Sequence, residues 1–491
     1  MFGVNELNGI ISFLAVLAAI PLLCSLASRM GFFDQPGGRK RHDRAVPPIG
    51  GLAVFPVFII MVLLTGAKSS ETWFFAALIL VLITGVADDA FSLPAYVKLA
   101  VQFIAAFLLV SPGALRIDEL GDLFGSGELW TGWMSVPFSI ISIILMINAI
   151  NLIDGLDGLA GGLGLIIIVW LGLCSFVSGN SEGVNVTVIL AGSLAGFLVY
   201  NLRHRFRQRA SVFLGNSGSL ALGLTLSWLT IGLSQGNDAV IPPISVAWLL
   251  ALPIYDICGQ FARRISLGRH PFDPDRHHFH HHLLYAGLSD AQATAAIFGI
   301  SFLMGLVGVG GIWIGLPEYY LTYIWIILLL MHVYLSMRPL RYLELLLPFR
   351  GKSIDNIIGQ LIFESGAIKE AQLLEALEYQ GKYGGKTGEI LIEKGYISEP
   401  ELNFFLNLQV VRNANEHVVD ANRKKEILLG EIMLASKLIT NDQLREALSY
   451  QSRKGGWIGQ VLLDMGYITD SGLKQCLDTQ NSIRKKNEIN I

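Results

Sequence analysis

The chain has 491 residues, of which 52% are hydrophobic and only 15% charged, and its mean hydropathy is +0.53. Soluble domains carry roughly 25% charged residues, so this composition excludes a disordered protein and argues against a purely soluble one. The net charge of −3 gives no reason to expect a nucleic-acid partner.

The charged residues are distributed unevenly along the chain. Residues 351–491 hold 36 of the 75 Asp, Glu, Lys and Arg side chains, which leaves 39 for the first 350 residues. Such a split indicates two solvents, a bilayer for the first part and water for the second. The four cysteines are scattered, which predicts neither a disulfide framework nor a zinc site. We therefore predict a membrane domain at 1–345 followed by a polar tail.

Eleven apolar runs predict the helices of the membrane domain, because each is about long enough to cross a ~30 Å hydrocarbon core. The runs are 9–30, 50–66, 72–87, 97–112, 136–152, 160–178, 185–201, 218–234, 241–261, 294–315 and 319–337. The first has no small-residue cleavage site and is expected to remain as an uncleaved helix. The predicted fold class is an all-α polytopic membrane protein with about eleven transmembrane helices and a small α-helical cytoplasmic repeat domain.

Basic loops predict the orientation in the membrane. Three loops are rich in Arg and Lys: Arg39, Lys40, Arg41 and Arg44; Arg203, Arg205, Arg207 and Arg209; and Arg263, Arg264, Arg269 and Arg276. With eleven helices, all three loops and the C-terminal tail lie on one face. The positive-inside rule makes that face cytoplasmic.

An aspartate pair, Asp88 and Asp89, closes the third apolar run. A charged carboxylate in such a place is costly unless it meets water, a cation or a partner. The pair is either part of a site or, more simply, a helix end at the headgroup level that Lys98 stabilises. This motif alone leaves both interpretations open.

Oxygen-bearing side chains recur every three residues at the end of the fifth run. They are Asn148, Asn151, Asp154 and Asp157. On a helix this spacing places them on about one face, until Gly155 and Gly158 permit a turn. Mg²⁺ prefers one or two carboxylates together with phosphate oxygens and water. We interpret the group as a metal site, with a helix cap and turn as the simpler alternative.

Two further motifs indicate phosphate binding. The segment 213-FLGNSGS-219 could offer backbone N–H groups at a helix start, although a glycine-rich turn is usually only a turn. The run 277-HHFHHH-282 holds five of the ten histidines and follows Arg276. It lacks the second half of a zinc site, so we interpret it as a cationic phosphate site, with a solvated basic loop as the alternative.

All of these motifs are predicted at the cytoplasmic ends of helices or in the loops that follow, which favours one site over unrelated loops. Carboxylates for Mg²⁺ and basic groups at a membrane surface suit the transfer of a phosphorylated group between a nucleotide and a lipid phosphate. A transporter is disfavoured, because its ionisable groups would lie near the bilayer midplane in several helices.

Five motifs in order resemble those of the polyprenyl-phosphate N-acetylhexosamine-1-phosphate transferases, the WecA branch of the WecA/MraY superfamily in glycosyl transferase family 4. The resemblance covers about residues 1–340. The motifs are 39-RKRHDRAVPPIGG-51, 88-DDAFSLPAYVKLAVQ-102, 148-NAINLIDGLDGLAGG-162, 213-FLGNSGSLALG-223 and 271-PFDPDRHHFHH-281.

The resemblance implies transfer of an N-acetylhexosamine 1-phosphate from a UDP-sugar to undecaprenyl phosphate, which releases UMP and starts a lipid-linked cell-envelope glycan. It implies Mg²⁺, or Mn²⁺, as the cofactor and a bacterial inner-membrane location with a cytoplasmic active site. Direct attack by the lipid phosphate is favoured over a covalent aspartyl intermediate, because this phosphate is already a nucleophile.

The resemblance also assigns residues. Asp88 is the leading candidate for deprotonating or orienting the lipid phosphate, with Asp89 beside it. The other candidates are Asp154 and Asp157 for catalysis, Asn151 and Asn216 for the metal, and His42, Lys98, Arg276, His278, His280 and His281 for substrate.

One position departs from the family pattern. The usual GDxGS is 215-GNSGS-219 here, so Asn216 stands where an Asp normally helps to bind Mg²⁺. Three explanations are open: a weaker but active metal site, an inactive relative used for binding, or an engineered substitution. The second gives the alternative function, a non-catalytic membrane scaffold or a cyclic di-GMP-responsive sensor built on a transferase-like body.

The polar tail contains two tandem repeat pairs, which we place at 351–415 and 426–484. Gly359, Gly388, Gly430 and Gly459 each open a segment that ends at Gln380, Gln409, Gln451 and Gln480, with a spacing of 29 residues within a pair and 71 between pairs. Each repeat is predicted to form a short apolar helix, a turn and a second helix.

These repeats resemble the MshEN-type N-terminal domain of type II secretion and type IV pilus ATPases, some of which bind cyclic di-GMP through segments that begin Arg-Leu-Gly. The Arg position is Ile357, Lys386, Leu428 and Trp457 here, so the guanidinium that grips phosphate is missing from all four segments. Docking of a cytoplasmic protein is therefore favoured over cyclic di-GMP binding.

Overall fold

The computed structural model describes residues 4–33, 45–66, 71–203, 207, 209–270, 278–286, 288–346, 358–383, 385–403, 405–406, 429–436, 438–440, 442–444, 446–447, 450 and 457–478. It divides into two compact units. The membrane unit consists of Met1–His280 and Asp290–Pro339, and the tail unit of His281–Ser289 and Leu340–Ile491.

The helices of the membrane unit follow the apolar runs. They are α1 (Val4–Met30), α2 (Gly50–Leu64), α3 (Thr72–Phe91), α4 (Ala95–Val110), α5 (Ser135–Ile153), α6 (Leu159–Val177), α7 (Ser181–Asn201), α8 (Gly215–Ser234), α9 (Pro243–Leu249), α10 (Ala251–Ser266), α12 (Asp290–Trp313) and α13 (Glu318–Ser336). The short α11 (Phe279–Tyr285) begins at the end of this unit. Within the described residues there is no strand, only an isolated bridge between Glu119 and Trp130.

Each of the eleven apolar runs is helical, which confirms the all-α polytopic class. Eight helices are long and apolar enough to cross a membrane, and α9 with α10, bent by 71°, makes a ninth if the pair is one span. The count of eleven is not reached among the described helices, because α2 and α4 have only 15 and 16 residues. A perpendicular crossing needs ~20 residues at 1.5 Å each.

Helix α8 lies at the centre of the membrane unit. Of its most apolar 18 residues, 89% are buried, the largest share of any candidate span. Small residues permit the close approach of its neighbours: a Cβ on Gly51 would lie 2.4 Å from the Gly218 nitrogen, and one on Gly85 2.2 Å from the Ser217 Cα. This packing of small residues brings the ends of α2 and α3 against the start of α8.

The tail unit repeats its contacts with the predicted offset of 71 residues. Its helices include α14 (Pro339–Leu346), α15 (Ile358–Glu364), α16 (Glu370–Tyr383), α17 (Thr387–Glu393), α18 (Leu429–Ala435) and α19 (Ile458–Asp464). The Tyr396 hydroxyl donates to Glu375 at 2.7 Å, and Tyr467, 71 residues later, donates to Glu446 at 2.6 Å. The two pairs therefore share one helical framework.

Candidate active site

Asp89 binds the start of α8. Its carboxylate oxygens accept the backbone N–H groups of Asn216, at 2.9 Å, and Ser217, at 3.2 Å. The turn before them needs Gly215, which has a φ of +76° and whose Cβ position is 2.8 Å from an Asp89 oxygen. A carboxylate at a helix N-terminus satisfies donors that have no partner within the helix and complements the helix dipole. Asp89 thus joins α3 to α8.

Asn216 connects Asp89 to α5. Its side chain hydrogen-bonds to the Asp89 carboxylate, and its Oδ1 accepts the Asn151 amide at 3.0 Å. Asn151 also donates to the Ser219 hydroxyl at 2.8 Å. A neutral amide can donate to one neighbour and accept from another, whereas an aspartate can only accept. The structure therefore brings the two predicted metal residues together as a hydrogen-bonded pair beside Asp89.

Asp154 ends α5 and is half-buried. Burial, followed by the nearby negative charges of Asp157 and Asp89, raises its pKa to about 7. These three predicted carboxylates therefore lie close enough to repel one another. A cation placed among them would relieve the repulsion.

Asp157 is anchored to the segment that follows α7. Its carboxylate pairs with Arg203 Nε at 2.6 Å and accepts the Ala210 backbone N–H at 3.1 Å. The same guanidinium reaches Asp290 at 2.7 Å, at the start of α12. Gly158 follows with a φ of +81°. These bonds hold the turn after α5 in place, so within the described structure Asp157 positions Asp154.

Asp88 points away from α8, into the turn between α3 and α4. It is 5% exposed, pairs with Lys98 at 2.9 Å and accepts the Leu93 backbone N–H at 2.8 Å. The turn needs these bonds, because Ser92 has a φ of +53°. The ion pair considered as the simpler explanation is therefore present, and the catalytic role of Asp88 stays a prediction.

The histidine run reaches the same site through His280. A Cβ on Gly155 would lie 2.4 Å from His280 Nε2, so the imidazole lies directly over the backbone next to Asp154. The rings of His280 and His278 stack, with centroids 5.8 Å apart and an interplanar angle of 4°. His278 in turn contacts Asp256 of α10.

Three of the predicted substrate residues are not placed at this site. His42 and Arg276 lie outside the described residues. His281 belongs to the tail unit, where its ring stacks on Tyr285. Two contributors were missed by sequence reasoning: Arg203 served only to assign orientation, and Asp256 lies inside an apolar run. An acidic residue in such a run was the signal that could have identified Asp256.

The donors fit a hard divalent cation in kind. In the described part of the chain no three His, Cys, Asp or Glu side chains meet at metal-binding spacing. Mg²⁺ does not require such a cage, because it keeps several waters and takes substrate phosphates. The crowding that raises the pKa of Asp154 is what a bound cation would offset.

We expect Gly155→Ala to lower the rate of the reaction at this site about 100-fold, because the new methyl displaces His280 and a misplacement of about 1 Å has such effects. Gly155 is exposed and its φ is not positive, so the fold itself does not require glycine there. Gly299→Ala in α12 is the matched control, since no atom lies within 4 Å of its Cβ position. Equal rates for the two variants would remove His280 from the site.

Comparison with known proteins agrees with this geometry. The family model described as glycosyl transferase family 4 matches residues 72–234, which run from α3 to α8. The chain is 32% identical over 302 residues to an undecaprenyl-phosphate alpha-N-acetylglucosaminyl 1-phosphate transferase of Haemophilus influenzae, covering 61% of this chain and 85% of that protein. The protein of the same name from Pasteurella multocida is 32% identical over 336 residues, which are 68% and 94% of the two chains.

A Bacillus subtilis protein with the name probable undecaprenyl-phosphate N-acetylglucosaminyl 1-phosphate transferase is 33% identical over 303 residues. These residues cover 60% of this chain and 82% of that protein. Identity of this size over most of each relative, together with the family match, shows the family. The chain belongs to glycosyl transferase family 4, as a multi-pass membrane protein similar to the undecaprenyl-phosphate N-acetylglucosaminyl 1-phosphate transferases.

Proposed function

We propose that this family 4 protein transfers an N-acetylhexosamine 1-phosphate from a UDP-sugar to undecaprenyl phosphate and releases UMP. The observation that carries the proposal is the meeting of Asp89, Asp154 and His280 from three separate motifs. The names of the relatives favour N-acetylglucosamine as the sugar. The basic loops favour a site on the cytoplasmic face of a bacterial inner membrane.

In the proposed reaction, an oxygen of undecaprenyl phosphate attacks the phosphorus that carries the sugar. The bond from this phosphorus to the oxygen of UMP breaks, and UMP leaves with the electron pair. The stacked pair His278 and His280 would hold the diphosphate. The start of α8, fixed by Asp89, would align the reacting groups. The lipid phosphate needs no activation by a covalent intermediate.

A divalent cation fits among the oxygens of Asp89, Asp154, Asn151 and Asn216. Mg²⁺ bound there would neutralise the diphosphate and the oxygen that leaves with UMP. Asp157 and Arg203 would keep the turn that carries Asp154 in position.

The test is incubation of the purified full-length protein with undecaprenyl phosphate, Mg²⁺ and a panel of UDP-sugars, with UMP release and the lipid product both measured. We expect product with one N-acetylhexosamine and none when Mg²⁺ is removed by a chelator. Absence of product with every sugar would support the alternative, a non-catalytic scaffold.

For the tail we propose a docking module for a cytoplasmic protein, with repeat pairs at 351–415 and 426–484. Trp457 is 87% exposed and the Lys386 side chain 83% exposed, at two positions where the ligand-binding relatives carry arginine. We expect no heat when full-length protein is titrated with cyclic di-GMP. Saturable heat that Lys386→Ala abolishes would instead make the tail a nucleotide sensor.

A further inference from the structure

A buried aspartate of α10 has no role in the reaction described so far. Asp256 is 2% exposed. One of its oxygens lies 2.7 Å from His278 Nδ1, and the other accepts the Phe279 backbone N–H at 2.7 Å. A charged carboxylate in a membrane protein interior is costly unless both of its oxygens find partners. Asp256 satisfies this condition with two consecutive residues of one segment.

The same contacts determine how His278 is held. A carboxylate beside Nδ1 keeps the proton on that nitrogen, which selects one tautomer and fixes the plane of the ring. The Phe279 N–H bond holds the backbone of the segment at the same point. Neither the ring nor the backbone can rotate without breaking a short bond to the buried carboxylate. His278 therefore has one orientation relative to α10.

This orientation is passed on to the reacting centre by stacking. The His278 and His280 rings are nearly parallel, and His280 lies against Gly155, next to Asp154. The path from Asp256 to Asp154 thus consists of two bonds and two packed rings. No residue on the path belongs to a loop outside the described structure.

We propose that Asp256 is a positioning residue of the transferase: it orients His278, and through it His280, toward the sugar diphosphate. This inference rests on the proposed function. It distinguishes Asp256 from a residue that only stabilises α10, because loss of a positioning residue changes the binding of one substrate rather than the amount of folded protein.

The test compares Asp256→Asn with the wild type as full-length protein, with each substrate varied in turn. We expect kcat/KM for the UDP-sugar to fall about 10- to 100-fold, the range for partners that orient a functional histidine, mainly through a higher KM for the UDP-sugar. The KM for undecaprenyl phosphate should not change. A purely structural role would lower kcat alone and leave both KM values unchanged, and that result would overturn the inference.

A second variant keeps the test valid if Asp256→Asn does not fold. His278→Gln retains an N–H donor for Asp256 and should raise the same KM. In that background Asp256→Asn should have less than a threefold further effect, because the two residues act as one unit. Independent, multiplicative effects would overturn the inference.

The matched control is Asp238→Asn, the same change at an exposed residue of the loop between α8 and α9, which should have wild-type kinetics. An active wild type with an equally active Asp256→Asn variant overturns the inference alone. A wild type that is inactive with every UDP-sugar overturns the proposed function as well.

Discussion

Replacing Asp89 by asparagine is expected to lower kcat/KM for sugar-phosphate transfer about 1,000-fold, the upper range for loss of a single preorganised electrostatic group. Asp89 accepts two backbone N–H groups at the start of α8. An amide can accept only one of them, because its nitrogen would meet the other donor with a donor of its own. The charge that a metal ion and the reacting phosphates require is lost at the same time.

The effect should appear in chemistry more than in folding. The lost helix-terminal bond costs about 1 kcal/mol, which is small against the expected loss of about 4 kcal/mol in transition-state stabilisation. UMP release and thermal unfolding should therefore be measured on the same preparation. Asp238→Asn controls for the loss of one negative charge. A reduction of less than tenfold would show that the reacting phosphates lie away from α8.

The sequence predicted the membrane unit well, because its signal is periodic and local. A run of apolar residues indicates a helix wherever its neighbours lie, and each of the eleven runs is helical. Predicted lengths were less accurate at α2 and α4. Composition alone does not show that a 15-residue helix packs on a central helix through glycines, as α2 does through Gly51.

The functional assignments from sequence were less complete, because a motif identifies residue types and not their partners. The motifs predicted that Asp89, Asp154 and the histidines share a site, and the structure brings Asp89, Asp154 and His280 together. The motifs did not predict that Arg203 holds Asp157 or that Asp256 holds His278. Both partners are distant along the chain, so only the packing of α7, α10 and α12 places them.

Replacing Asn216 by aspartate is expected to lower the Mg²⁺ concentration for half-maximal activity about tenfold, equal to about 1.4 kcal/mol of metal binding. At present the amide of Asn216 bonds to Asp89 and accepts from Asn151, so Asp89 has a neutral neighbour without any cation. A new carboxylate would keep the bond from Asn151 but face Asp89 as a like charge. A cation or a proton would then be needed between them.

The same substitution should therefore make stability depend on the metal. With a chelator present, the variant should unfold at a lower temperature than the wild type, and Mg²⁺ should restore the difference through preferential binding to the folded state. Asn180→Asp adds the same charge at the start of α7, where the side chain accepts the Gly183 N–H and an aspartate can do so equally well. This control should leave the Mg²⁺ requirement unchanged.

The result discriminates between the explanations of this departure from the family pattern. A lower Mg²⁺ requirement with an active wild type indicates that Asn216 weakens a working metal site. Activity that appears only in the variant indicates that the natural chain binds its ligands without turnover. An unchanged Mg²⁺ requirement would remove Asn216 from the metal site and leave it as a hydrogen-bonding link between Asp89 and Asn151.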